Sequence, residues 1–128
     1  MEGHAYLLDT HVLIWLSSDK KLVPADILAR LRNPENILFV SSASLWEIAI
    51  KQNLGKLTAS MDMSSVLQSH RMQELPVTSQ YVEIIRTLPL HHRDPFDRML
   101  VAQAQMEGLT LISADQRMRR YDVRVLWA

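Results

Sequence analysis

The chain has 128 residues, 48% hydrophobic and 22% charged, with three glycines, five prolines and no low-complexity tract. That composition fits one globular domain with a real core and argues against disorder. Without cysteine, disulfides, thiolate zinc sites and a cysteine nucleophile are excluded, and a reducing cytoplasm is the expected setting; formal charge is zero, 14 basic residues against 14 acidic, and no apolar run approaches the ~18 residues of a membrane span or the pattern of an export signal.

In chain order, Ala5-Tyr6-Leu7-Leu8-Asp9 reads as a short apolar strand ending in an acid, and Thr10 to Leu16 as two turns of apolar helix. Pro24 begins a second helix to about Leu31, Asn33-Pro34-Glu35-Asn36 turns the chain, and Ile37 to Val40 is a buried strand. Ser41 to Asn53 is the clearest helix, closed by Gly55. Residues 62 to 73 read as helical, Leu75-Pro76-Val77 as a short strand and Ser79 to Leu88 as a helix, with a polar loop over residues 89 to 94. Pro95 to Glu107 is a helix ended by Gly108, followed by a strand from Leu109 to Ser113, a short helix after Asp115 and a last strand from Val123 to Leu126. Short apolar strands alternating with helices predict an α/β fold, a mostly parallel sheet of about five strands with helices on both faces.

Open sheets of this kind bind ligands outside the carboxyl ends of their strands. Asp9 ends the first strand, Asp115 follows the strand closing at Ser113, Asp97 lies in the first turn of a helix, and Glu47 is one turn into another. Four converging carboxylates are unstable alone, because two such charges 4 Å apart repel by about 4 kcal/mol at an effective dielectric of 20. Hard oxygen donors without His or Cys suit Mg²⁺ or Mn²⁺, which would support hydrolysis of a phosphodiester. Setting the four acids aside leaves 10 acids against 14 bases, a balance that suits a nucleic-acid partner. Thr10 and Ser113 could orient a water or a phosphate oxygen, and Arg98 could touch a phosphate or neutralise the cluster.

Each acid also has a purely structural reading. Ser44 and Glu47 match a capping box, Asp94-Pro95 an N-cap followed by proline at the first helical position, with Asp97 as a dipole partner, and Asp9 and Asp115 are placed to cap the helices that follow them. The joint placement favours a functional cluster, since independent caps need not share one sheet edge. His91 and His92 could reach the site from their loop, and His11 from beside Asp9, with an exposed histidine as the commoner reading of each; Trp15, Trp46 and Trp127 read as core, and Arg117, Arg119 and Arg120 either as a grip on RNA or as a solvated helix face.

At Asp9-Thr10-His11, Ser44-Leu45-Trp46-Glu47, Gly55-Lys56-Leu57, His92 to Arg98 and Ile112-Ser113-Ala114-Asp115, the sequence resembles the PIN domain family, and more narrowly the VapC toxins of type II toxin-antitoxin systems. The resemblance implies a single three-layer α/β/α PIN-like domain, a Mg²⁺- or Mn²⁺-dependent endoribonuclease in the cytoplasm, homodimerisation and a cognate VapB-type antitoxin. It carries the metal-site acids to Asp9, Glu47, Asp97 and Asp115, with Asp94 as an additional acid of structural or supporting role. Residues 58 to 74, with Met61, Met63 and Met72, depart from the usual pattern, and substrate choice transfers least. The alternatives are a non-catalytic metal- or RNA-binding domain and a DNA nuclease. An aspartyl phosphatase would need a second Asp where His11 stands, and the three glycines form no dinucleotide or P-loop fingerprint.

Overall fold

Residues 3–57 and 62–127 are described by the computed structural model; residues 58 to 61, which include Met61 and part of the atypical stretch, lie outside the described residues. The strands are β1 (Ala5–Leu8), β2 (Ile37–Ser41), β3 (Met72–Leu75), β4 (Thr110–Ser113) and β5 (Val125–Trp127). The helices are α1 (Thr10–Ser18), α2 (Ala25–Arg32), α3 (Ser42–Asn53), α4 (Met63–Ser69), α5 (Ser79–Ile85) and α6 (Pro95–Glu107), with short 3₁₀ helices at Lys20–Leu22 and Gln116–Arg120. All strand pairings are parallel, in the order β3-β2-β1-β4-β5, so the expected parallel α/β sheet is present.

Alternation along the strands divides the interior in two. Tyr6 and Leu8 pack with Val40, Ile112 and the buried faces of α1 and α2, whereas Leu7 packs on the other side with Leu111 and with Leu100, Val101 and Ala104 of α6. Leu7 and Leu8 are both fully buried, each stabilising the fold by roughly 1.5–3 kcal/mol. Both faces of β1 are therefore covered, which is why its sequence is a continuous apolar run and not an alternating one.

The helix boundaries follow local chemistry. Pro95 stands at the start of α6 behind Asp94, whose Oδ1 accepts the backbone N–H groups of Phe96 and Asp97. Gly108 closes that helix with φ 65°, a left-handed conformation that costs other residues strain. Ser41, not Ser44, caps α3, accepting from the N–H of Ala43, so the capping-box reading of Ser44 and Glu47 does not hold and Glu47 lies in the second turn.

Two further expectations shift. The helix expected over 62 to 73 stops at Ser69, and after Arg71 at φ 54° the chain enters β3 at Met72. The strand expected at Leu75-Pro76-Val77 is this one, displaced toward the N-terminus because Pro76 has no N–H to donate to a ladder. As an edge strand, β3 buries Met72 and leaves Gln73 and Glu74 exposed, a pattern too polar to announce itself as strand.

Candidate active site

The chain builds β1, β2 and β3 outward in one direction, then returns to the far side of β1 to place β4. The carboxyl ends of β1 and β4 therefore flank the point where the winding reverses, the crevice at which open α/β sheets bind ligands. Asp9 leaves β1 and Asp115 follows β4 across this crevice.

Asp9 is 3% exposed. Its Oδ1 accepts the N–H of Val12 at 2.9 Å, capping α1. Burial raises its carboxyl above the usual range, opposed by hydrogen bonds from the Ser113 side chain and Val12 and by the nearby His11, while the charge of Asp115 adds to the rise. Ser113 is fully buried, and its Oγ also accepts the N–H of Asp115 at 3.0 Å, so one hydroxyl ties the two rim acids together.

Asp115 caps the 3₁₀ helix through Oδ1 to the N–H of Arg117. The Arg117 guanidinium grips both carboxylate oxygens, Nε to Oδ1 at 3.0 Å and Nη2 to Oδ2 at 2.9 Å, the bidentate fork that charge-assisted pairs favour. Burial pushes this carboxyl up, but the Arg117 side-chain and backbone hydrogen bonds, the His92 contact and the Arg117 charge outweigh it and hold it at about 2. Of the three arginines in this segment, Arg117 thus faces the acids.

Asp97 lies in the first turn of α6 and is the electrostatic centre. Burial, then the charges of Asp94, Asp9, Glu47 and Asp115 in that order, raise its pKa from 3.8 to about 8. The charges of the other three expected acids and of Asp94 all bear on Asp97, while Asp9 and Glu47 stand outside the group of ligand atoms that Asp97 and Asp115 form with His92. Glu47 is buried on α3 and paired with Lys51 one turn on, Nζ to Oε2 3.0 Å. Lys51 and Arg117 consequently offset the two flanks of the cluster, and the uncompensated pressure of the remaining charges falls on Asp97, which keeps its proton.

Four residues behave differently from the sequence reading, His92, Arg98 and Thr10 near the acids and Trp46 beyond them. His92, expected to be exposed, is 4% exposed, with Nε2 2.9 Å from Asp115 Oδ2 and 3.1 Å from Asp97 Oδ2. Arg98 does not reach the acids. Its guanidinium donates to the carbonyls of Leu88, Pro89 and His92 and to the Tyr121 hydroxyl, holding the loop that carries His92. The Thr10 hydroxyl donates to Ser44 Oγ at 2.9 Å, both side chains being buried, and so joins α1 to α3 beside Glu47 instead of facing the crevice.

Trp46, expected in the core, is 64% exposed and meets Phe96 edge-on at 5.3 Å, whereas Trp15 and Trp127 pack against each other, also at 5.3 Å. His11 lies against Trp15 and His91 against Tyr121. Among the described residues, His92, Asp97 and Asp115 bring one potential ligand atom each within 4.8 Å of one another. An acidic pocket whose central carboxyl is held neutral by burial and by the charges around it fits a hard divalent cation, since such an ion would offset the repulsion that the folded chain otherwise contains. No described helix is long and apolar enough to cross a membrane.

No curated protein matches the chain in sequence. In structure it is similar to a chain of the VapBC2 complex of Rickettsia felis bound to a DNA fragment from its promoter, with TM-score 0.69 and 16% identity, covering 94% of this chain and 96% of that one. It is similar also to a chain of the DNA-bound VapBC of Salmonella typhimurium, with TM-score 0.66, 21% identity and all of both chains covered. A chain of VapBC-5 from Mycobacterium tuberculosis gives TM-score 0.58 and 22% identity, covering 97% and 98%. The sequence model of the PIN domain matches residues 6–124, and on that match, with the parallel sheet and the acids gathered at its winding reversal, the chain belongs to the PIN domain family.

Proposed function

We propose that this protein is a Mg²⁺- or Mn²⁺-dependent endoribonuclease, the toxin of a type II toxin-antitoxin pair acting in the cytoplasm, with Asp9, Glu47, Asp97 and Asp115 as its metal site. The observation that carries the reading is the gathering of Asp97, Asp115 and His92 around one point, where burial first and then the charges of Asp94, Asp9, Glu47 and Asp115 push the Asp97 carboxyl up to about 8. A divalent ion bound there supplies an activated water and charge neutralisation for in-line displacement at phosphorus. The chain's own residues do the rest. Asp115 stays ionised under Arg117, Asp9 is fixed by Val12 and Ser113, and Asp97 would hold the ion as a carboxylate, its proton passing to solvent. Asp94 supports the site by capping α6.

RNA is favoured over DNA on the family resemblance, since carboxylates do not distinguish the two. Labelled RNA and matched DNA incubated with Mg²⁺ or Mn²⁺ test this directly. Cleavage of RNA that is lost with EDTA and in Asp97→Ala supports the proposal. Preferential cutting of DNA would replace the substrate, and RNA binding without cutting would favour a non-catalytic domain.

The solved neighbours are VapBC complexes, which supports a VapB-type antitoxin; charge complementarity with the acids favours a C-terminal segment of that partner entering the crevice with a basic side chain. For homodimerisation the support is an apolar groove of about 550 Å³ lined by Ala43, Trp46, Val77, Ile85, Phe96 and Met99, because exposed apolar surface of this kind is the usual mark of a docking face.

A further inference from the structure

We propose that His92 donates a hydrogen bond to Asp115 of the metal site and is not a ligand of the ion the acids hold; its Nε2–H is given to Asp115 Oδ2, with Asp97 Oδ2 3.1 Å away, and so sets the spacing of the two carboxyls. The proposal rests on the reading of the cluster as a cation site. At first sight His92, Asp97 and Asp115, with ligand-capable atoms within 4.8 Å, form a mixed nitrogen and oxygen set of the sort that draws transition metals. The other side of the ring rules against this. Nδ1 accepts the backbone N–H of Asp94 at 3.0 Å, so that nitrogen carries no hydrogen, and a neutral imidazole must then carry its one hydrogen on Nε2. Nε2 faces Asp115 Oδ2 at 2.9 Å and Asp97 Oδ2 at 3.1 Å. A nitrogen bearing hydrogen has no lone pair in the ring plane to give a cation.

Ligation would require moving the hydrogen to Nδ1, against the Asp94 N–H, which would strand a part-buried backbone donor. The surroundings hold the ring against such a change. Tyr121 Oη accepts the N–H groups of His91 and His92 at 3.1 and 2.9 Å, and the Arg98 guanidinium donates to the His92 carbonyl and to Tyr121 Oη. The Asp94 carboxylate meanwhile receives the N–H groups of Phe96 and Asp97. One turn thus fixes the acceptor side of His92 and the start of the helix that carries Asp97. His92 is a positioning residue, and it leaves the ion an all-oxygen set.

The test is long-range ¹H–¹⁵N NMR of the His92 ring in the intact protein, without metal and with saturating Mg²⁺, together with pulsed EPR of the Mn²⁺-loaded protein. The expected result is hydrogen on Nε2 in both states and no ¹⁴N coupling from a coordinated imidazole. Hydrogen on Nδ1, loss of the Nε2 hydrogen on metal addition, or directly bound ¹⁴N would overturn the proposal. His92→Leu should weaken Mn²⁺ binding about 10-fold, as loss of an orienting partner typically does, and His92→Gln, which keeps an N–H donor, should recover most of it; equal affinity of all three proteins would also count against it. If Mg²⁺ shifts neither the Asp97 nor the Asp115 carboxyl carbon, the cation reading fails, and the ring hydrogen of the metal-free protein still decides whether His92 is the donor.

Discussion

Replacing Asp97 with Asn should make the metal-free protein more stable and the enzyme inactive. The Asp97 carboxyl titrates at about 8 in the fold against 3.8 unfolded, so between those values the unfolded chain has released a proton that the folded chain retains. Stability is full below about pH 4, falls as pH rises through the interval and stays low above about pH 8. At about 1.4 kcal/mol per pKa unit the ceiling is about 6 kcal/mol. Residual solvent at the carboxylate and relaxation around it bring the expected penalty to about 2–3 kcal/mol. Asn carries no charge, keeps an oxygen for His92 Nε2, and gives up only about 0.5 kcal/mol of favourable interaction with the start of α6. Thermal unfolding in EDTA should show Asp97→Asn melting roughly 4–10 °C above the parent at pH 8.5, with the difference vanishing near pH 4. Mg²⁺ should then raise the parent's Tm and leave the variant's unchanged. Equal or lower Tm for the variant at pH 8.5 would refute the claim that the acids press on Asp97.

Three other substitutions probe the supports of the site. Arg117→Ala removes the fork on Asp115, so its carboxyl, held at about 2, should titrate closer to 3.8 by ¹³C NMR; an unmoved value would show that Arg117 is not what holds it. Tyr121→Phe removes the shared acceptor of the His91, His92 and Arg98 donors and should cost about 1–3 kcal/mol in urea unfolding, with weaker metal binding, whereas an unchanged unfolding midpoint would mean that the loop holds itself. Trp46→Ser on the apolar groove should shift sedimentation toward monomer if that groove joins two copies, and an unaltered dimer would place the interface elsewhere.

Much of the architecture could be read from the chain because local signals were strong. Continuous apolar runs marked strands buried on both faces, and the Asp-Pro and Gly punctuation located both ends of α6. The acids were visible for the same local reason, and here two readings that looked like competitors coincide. Asp9, Asp94 and Asp115 do cap helices, and those caps are the means by which they are held at the crevice. Capping uses one oxygen of each, Oδ1, and the second oxygen of Asp115 meets His92 and Arg117.

What the sequence concealed depended on distant partners. His92 sits in a polar, charged stretch, and it is held by Tyr121 and Asp115, contacts across more than 20 residues that leave no local pattern. Arg98 follows Asp97 in the chain, yet consecutive helical residues diverge by about 100°, which turns it back onto the loop. Trp46 belongs to an apolar run, but α3 buries Ala43, Ser44, Glu47 and Ile48, a face at helical spacing that leaves Trp46 outside. That spacing places Ser44 on the buried face with Glu47 and could have flagged Ser44 as a packing partner of α1, where it accepts from Thr10.

The most direct measurement is anomalous diffraction from Mn²⁺-loaded crystals. One or two manganese peaks bounded by carboxylate oxygens of Asp9, Asp97 and Asp115, with Glu47 alongside and no ring nitrogen of His92 in contact, are the predicted result. An empty crevice at saturating Mn²⁺, or metal bound only elsewhere, would contradict the central claim.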